Sequence, residues 1–284
     1  MTSPHSKTVV ITGCSSGIGW ATALHLAQQG FTVYATARNL DSIRDLEQAG
    51  CHILALDVTD EASMEAAVNA VEQEQGAIDV LINNAGYSQS GAIESVAMQR
   101  VRQQFETNVF GLVRMTQLVL PGMRQQRKGT IINLSSMGGR LTFPGGGFYH
   151  ATKYAIEALT DALRFEVAGY GIDAILIEPG LIRTRFGDVA AKSVGQTSAS
   201  ENSYVVFNTA VVKASRDIYE RGPLAPLGGT AEDVARTISQ AITSHNPKAR
   251  YTVTPSARLL ITVRRMLPDR LWDRFLSTQF PRPH

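Results

Sequence analysis

With 284 residues, 44% of them hydrophobic, the chain is long enough to bury a full core and reads as one large α/β domain rather than two small ones. Its two cysteines, Cys14 and Cys51, exclude a disulfide framework and a thiolate metal cluster, so no metal is expected and the setting is a reducing compartment. The net charge of +2 hides an asymmetry: from Lys248 onward eight Lys/Arg stand against two Asp, a net +6 that leaves −4 for the rest, and a body without basic bias argues against nucleic acid as the main ligand.

Met1 to Lys7 is short and polar, and no apolar span reaches the roughly 18 residues of a membrane helix. Neither a signal peptide nor a spanning segment is expected, and the expected location is the cytoplasm. Thr8 to Ile11 is an apolar run of the kind that forms a buried strand. Gly13 to Gly19 is a turn, and Ile18 to Gln29 reads as a helix closed by Gly30. Phe31 to Ala37 is a second strand, Asp41 to Gln48 a short helix, and His52 to Leu56 a third strand with Asp57 at its end. Asp60 is placed to cap a helix running to Glu74, and Ile78 to Ile82 is strand four.

Ala97 to Gln126 carries a long helical pattern, with a kink expected near Pro121-Gly122. Thr130 to Leu134 is strand five, Tyr149 to Val167 a helix, and Ile172 to Ile177 strand six. Six apolar strands separated by helices spell βαβ units, hence a parallel sheet covered on both faces. The regularity stops after Glu178-Pro179-Gly180. Arg185 to Ser203 is polar and rich in Gly, Ser and Ala, as in a mobile loop, and Tyr204 to Tyr219 fits a helix beyond it. Thr230-Ala231-Glu232-Asp233 approximates a capping box, with Asp where Glu or Gln is preferred, and opens a helix to about Ser244. Arg250 to Thr254 makes a seventh strand. The tail holds two amphipathic pieces, Ala257 to Met266 and Asp269 to Phe280, split by Pro268.

The strongest chemical signal is Tyr149-His150-Ala151-Thr152-Lys153, with Ser136 thirteen residues upstream. On a helix, positions i and i+4 share a face, so a phenol and an ammonium stand side by side. The cation favours the phenolate and draws the tyrosine pKa towards the working pH, giving a proton donor and acceptor beside a hydroxyl that can hold a carbonyl oxygen. The second signal is Thr12-Gly13-Cys14-Ser15-Ser16-Gly17-Ile18-Gly19, between the first strand and the first helix. Gly13 permits a sharp turn, Gly17 lets the backbone approach a pyrophosphate, Gly19 lets the helix pack closely on the sheet, and the helix N-terminus supplies amide donors.

This Thr-Gly-x-x-x-Gly-x-Gly spacing resembles the short-chain dehydrogenase/reductase family. The resemblance continues in order through Asn83-Asn84-Ala85-Gly86, Asn108, Ser136, Tyr149, Lys153 and Pro179-Gly180, over about residues 8 to 185. It implies a Rossmann-type, doubly wound, seven-stranded parallel sheet. The sequence is similar to the 17β-hydroxysteroid and retinol dehydrogenase-like branch, through the Thr12 to Gly19 run and Ala35 to Asn39. Its tail from Arg250 to Phe280 resembles bacterial short-chain oxidoreductases. We therefore expect residues 1–254 to form the dinucleotide-binding domain, with a substrate loop over about 185–229. Residues 255–284 then form a basic, amphipathic helical extension.

Electrostatics bear on the choice of nicotinamide cofactor. NAD sites place a carboxylate at the end of the second strand; here Ala37 holds that position and Arg38 follows, which suits a 2′-phosphate. Ser15 or Thr36 can add a hydroxyl donor. NADP(H) is expected over NAD(H), although Arg38 also reads as a solvated surface arginine. By resemblance, Asp57 and Val58 contact adenine, Asn84, Ala85 and Gly86 shape the cofactor floor, Thr184 binds the carboxamide, and Ser16, Ile18, Pro179, Gly180 and Ile182 also bind the cofactor. Asp57 and Thr184 could instead serve only as turn or cap residues.

The resemblance also assigns catalytic roles: Tyr149 donates the proton, Ser136 hydrogen-bonds the substrate oxygen, Lys153 binds ribose hydroxyls and stabilises the tyrosinate, and Asn108 holds a water. Ser135 is a rival to Ser136, Asn108 could merely tie backbone groups in the core, and His150 is expected to point away from the chemistry. For the substrate, Tyr87, Phe143, Pro144, Phe148 and Phe186 are candidates for an apolar wall or for ordinary core packing. Such a wall fits a steroid, a retinoid or a long-chain aldehyde or ketone. The tail's Leu259, Trp272 and Phe275 with Arg264, Arg270 and Arg274 leave three readings open: a peripheral membrane contact, a cap over the pocket, or a subunit interface. The long helices resemble the family's paired dimer helices, which implies a homodimer. A non-catalytic nucleotide-binding sensor is the alternative from outside the enzyme class.

Overall fold

In the computed structural model, which describes residues 6–184, 186–194 and 202–282, strand β1 (Thr8–Ile11) leads into helix α1 (Gly17–Gln28) and β2 (Thr32–Ala37). The short α2 (Arg44–Gln48) precedes edge strand β3 (His52–Ala55), α3 (Glu61–Gln75) and β4 (Val80–Asn83). Then come α4 (Met98–Phe105), α5 (Gly111–Gln126), β5 (Gly129–Leu134), α6 (Gly147–Val167) and β6 (Ile172–Glu178). The C-terminal third holds β7 (Ile182–Arg183), α7 (Phe186–Val194), α8 (Val205–Glu220), β8 (Gly229–Thr230), α9 (Ala231–Thr243), β9 (Arg250–Thr252), α10 (Pro255–Met266) and α11 (Asp269–Leu276).

Seven strands form one parallel sheet in the order β3-β2-β1-β4-β5-β6-β9, and β7 pairs with β8 outside it. Val10 of β1 stands in register with Tyr34 on one side and Leu81 on the other. The chain reverses its winding between β1 and β4, and such a switch opens a crevice at the carboxyl ends of the strands. The strands are apolar on both faces because helices cover both. Leu26 of α1 and Ile238 and Ile242 of α9 pack with Val9 and Ile11 on one face. Met64 and Val68 of α3 and Met115, Val119 and Met123 of α5 pack with Val10 and Leu81 on the other. The capping box is present, with Thr230 and Asp233 exchanging hydrogen bonds at the start of α9.

The long fourth helical stretch is interrupted by a π turn over Glu106–Phe110, between α4 and α5, and Pro121 sits within α5. One expectation is corrected. Part of the expected loop, Phe186–Val194, is helical, because Ala190, Ala191 and Val194 bury an apolar stripe, Val194 in a cluster with Phe207 and Val211 of α8. Arg185 and residues 195–201 lie outside the described residues. The tail buries Leu260, Ile261, Trp272 and Leu276 against Met137, Leu141 and Phe143, so its inner face closes one end of the molecule. Cys14 and Cys51 are both free and buried, and burial pushes their thiols up to about 12 and about 11. Among the described residues, no cluster could hold a metal and no helix is long and apolar enough to cross a membrane.

Candidate active site

The crevice is built first from backbone. Thr12 follows the first strand, and its hydroxyl accepts the amides of Asn84 and Ala85 at 3.0 Å each. The Asn84 side-chain amide donates back to the carbonyls of Thr12 and Gly13, 2.9 Å each, so the two loops that follow β1 and β4 are sewn together. Gly13 has φ +74°, and a Cβ there would meet the Ala85 backbone at 2.8 Å. A Cβ on Gly19 would overlap the Gly13 carbonyl oxygen and the Asn84 amide. Ser16 precedes α1 without capping it through its side chain, which leaves the first-turn amides for an anion. A pyrophosphate fits this donor set and this close backbone approach.

A cavity of about 1000 Å³ runs from this loop to the substrate end. Every residue that the sequence singled out for the cofactor, the chemistry or the substrate lines it, except Gly19, Thr36, Asn108 and Phe148. Gly19 lies beneath the loop, where it lets α1 close on the sheet. Phe148 is a correction: it stands about 100° around α6 from Tyr149 and faces elsewhere. Thr36 is another, because its buried hydroxyl donates to the Ile11 carbonyl at 2.9 Å instead of facing the cavity.

At the end of the cavity beside β2, that strand finishes with buried Ala37, and exposed Arg38 lines the rim. One carboxylate oxygen of Asp57 accepts from the Thr59 amide at 2.9 Å and from its hydroxyl at 2.8 Å, so Asp57 shapes a turn and lines the cavity at once. Burial raises the Tyr87 phenol, against the opposing charges of Arg100 and Arg38. Thr184 accepts the Phe186 amide at 3.3 Å, opening α7, and its methyl would lie 3.6 Å from a Cβ on Gly17.

At the chemical end, Tyr149 and Lys153 share a face of α6, with the Lys153 ammonium 5.7 Å from the Tyr149 ring centre. Lys153 is 6% exposed and donates to the Leu134 carbonyl at 2.6 Å. Burial lowers its pKa to about 8, opposed by the negative charge of Glu157 one turn on. Ser136 Oγ accepts the Gly138 amide at 3.0 Å, while its hydroxyl reaches the Pro179 carbonyl only at 3.5 Å. That proton is therefore weakly held and can turn to a substrate oxygen. Ser135 is instead turned towards Glu157. Behind this helix, Asn108 in the π turn accepts the Tyr87 amide at 3.1 Å and donates to the Tyr87 carbonyl at 2.9 Å and to Thr152 Oγ1 at 3.1 Å. It ties the Gly86-Tyr87 loop to the Tyr149 helix. Further back, Glu157 and Glu178 are buried between Arg140 and Arg250.

Beyond Tyr149 the cavity is walled by Phe143 and by Phe186, whose ring centre lies 5.2 Å from that of Tyr149. Val211, Ser215 and Ile218 of α8 complete it, and Phe280 closes it from the tail. The lining positions 211, 214, 215 and 218 recur at helical spacing, a signal present in the sequence. His150 corrects the expectation that it points away: its imidazole is buried in the cavity wall, with ring centres 5.6 Å from Tyr149 and 6.1 Å from Phe143.

The family model described as short chain dehydrogenase matches residues 7–194. A 3-ketodihydrosphingosine reductase from Bacteroides thetaiotaomicron is 36% identical over 270 residues, covering 93% of this chain and 94% of its own. An NADPH-dependent 3-dehydrocapnine reductase from Ornithobacterium rhinotracheale is 35% identical over 274 residues, again covering 93% and 94%. Among solved structures, a short-chain dehydrogenase from Streptomyces avermitilis superposes with a TM-score of 0.79 at 32% identity, covering 96% of both chains.

Proposed function

Because the chain belongs to the short-chain dehydrogenase/reductase family, an oxidoreductase family, we propose that it is an NADPH-dependent reductase of a lipophilic ketone, of the long-chain kind, with Tyr149 as proton donor. The carrying observation is one continuous cavity in which Ser136, Tyr149 and Lys153 stand between the glycine loop and an apolar chamber. The 3-ketodihydrosphingosine and 3-dehydrocapnine reductases support the substrate class, and the latter's named NADPH dependence supports the cofactor.

The chain's residues divide the work as follows. The α1 N-terminus and the turn at Gly13 to Gly19 bind the pyrophosphate. Arg38, with no acid at position 37, meets the 2′-phosphate. Bound NADPH supplies the hydride. Ser136 donates its loosely held hydroxyl proton as a hydrogen bond to the ketone oxygen, where negative charge develops, and Tyr149 transfers its phenolic proton to that oxygen. The Lys153 ammonium steadies the resulting tyrosinate and reaches the ribose hydroxyls. Asn108 acts as a positioning residue, holding the Tyr87 loop against α6. The proposal includes a homodimer joined through α5 and α6, whose surroundings expose Phe110, Tyr154 and Phe165.

The test is loss of NADPH absorbance with a panel of long-chain ketones. Wild-type protein consumes NADPH, and Tyr149→Phe lowers kcat by about 10³-fold while still binding the cofactor. Equal rates in the two proteins would remove Tyr149 from the chemistry and end the proposal.

A further inference from the structure

His150 lies beside the reacting centre, yet the proton transfer just described does not use it. Resting on that reductase reading, we propose that His150 is a specificity-determining residue that selects ketones carrying a hydrogen-bond donor, a hydroxyl or an amino group, next to the carbonyl.

The argument begins with the other end of the imidazole. Its Nδ1 lies 3.1 Å from the Gly138 carbonyl oxygen. A carbonyl oxygen can only accept, so Nδ1 carries the proton. Burial holds the ring neutral, with its pKa pushed down to about 4. In a neutral imidazole with a protonated Nδ1, Nε2 is a bare acceptor. This histidine therefore offers the cavity a lone pair and no proton.

The surroundings keep that lone pair open. Nε2 stands 2.8 Å from where a Cβ on Gly146 would be, and Gly146 itself lines the cavity. A residue with a side chain at position 146 would cover the nitrogen. Gly138 is equally constrained, since a Cβ there would overlap Nδ1. Two glycines thus make room for an imidazole where a leucine would pack without any polar demand.

The same short segment aligns both groups. The Gly138 amide donates to Ser136 Oγ at 3.0 Å and the Gly138 carbonyl accepts from His150, so one peptide orients the group that holds the ketone oxygen and the ring beside it. The His150 ring centre lies 5.6 Å from that of Tyr149, and the proposal sets the substituent on the carbon next to the ketone against Nε2. A plain ketone buries Nε2 without a partner, whereas a hydroxyl or amine donor satisfies it. Sites with a buried polar group discriminate strongly against analogues that leave it unpaired.

The experiment compares kcat/KM with NADPH for three long-chain 3-ketones of equal length: unsubstituted, 2-hydroxy and 2-amino. Wild type favours at least one donor-bearing ketone by roughly tenfold or more over the unsubstituted one. Whichever of the two is favoured identifies the donor. In His150→Leu that ratio falls towards one, whatever the absolute rates. Gly146→Ala, which retains the imidazole but sets a methyl 2.8 Å from Nε2 so that the nitrogen is covered or displaced, lowers the same ratio. His150→Gln, which restores an acceptor, recovers part of it. NADPH binding by each variant confirms that it is folded. Equal kcat/KM for all three ketones in wild type, or a preference untouched by both His150→Leu and Gly146→Ala, overturns the assignment to His150 while leaving the reductase reading standing. Absence of NADPH consumption with every ketone overturns the reductase reading and this inference with it.

Discussion

The proposed choice of NADPH rests on Arg38, which follows the small, buried Ala37 with no acid at that position. A 2′-phosphate gains a charge-assisted contact from the guanidinium, and a carboxylate in its place repels it. Arg38→Asp should therefore raise the KM for NADPH at least about tenfold, a change of ~1.4 kcal/mol, and improve NADH relative to NADPH in steady-state assays. An unchanged cofactor ratio would make Arg38 a solvated bystander. His150 carries a second prediction. Its imidazole takes up a proton near 6.5 when unfolded and at about 4 when folded, so between those values the unfolded chain binds more protons. The stability it contributes is present above pH 6.5 and is lost as the pH falls towards 4. Urea unfolding at pH 7 and pH 4.5 should show wild type losing about 2–3 kcal/mol more than His150→Leu on acidification. Equal losses would mean that the ring is not buried in its neutral form.

At the level of elements, the carboxylates behind the active site bind α6 to β6 and β9. Glu157 and Glu178 share Arg140 and Arg250, Thr252 donates to Glu178 at 2.7 Å, and Arg250 extends to Asp161. Glu178 is 2% exposed, so removing a partner strands buried negative charge. Arg250→Met should cost about 3 kcal/mol in chemical unfolding, more than a surface ion pair, and an unaltered midpoint would show the cluster to be dispensable. Much of this framework was legible in the sequence. Strands buried on both faces appear as unbroken apolar runs such as Thr8 to Ile11, the turn glycines have fixed spacing, and Tyr149 and Lys153 lie one helical turn apart. Other features depend on partners distant in sequence. The π turn at Glu106–Phe110 leaves no mark on apolar periodicity. α7 hides its buried stripe in small residues, Ala190 and Ala191, within a polar stretch. The inward turn of His150 needs the space left at Gly138 and Gly146.

For the molecule as a whole, the proposed dimer makes a direct claim about mass. Light scattering should give twice the 30.8 kDa of one chain, and Phe165→Asp combined with Phe110→Asp should return the value of a monomer. A wild-type protein already at the single-chain mass would discard the paired-helix arrangement. Folding also silences both cysteines. A sulfur reacts as its thiolate, and thiols pushed up to about 12 and about 11 inside the core are almost wholly protonated at neutral pH. Cys14 sits in the turn against the first strand, and Cys51 in the core beside β3. Alkylating reagents and peroxide therefore find no target in the closed protein, and any modification that accumulates records how often these segments breathe open. The chain carries two internal timers of its own unfolding, one of them in the glycine-rich turn itself, buried in the core beneath the cavity lining.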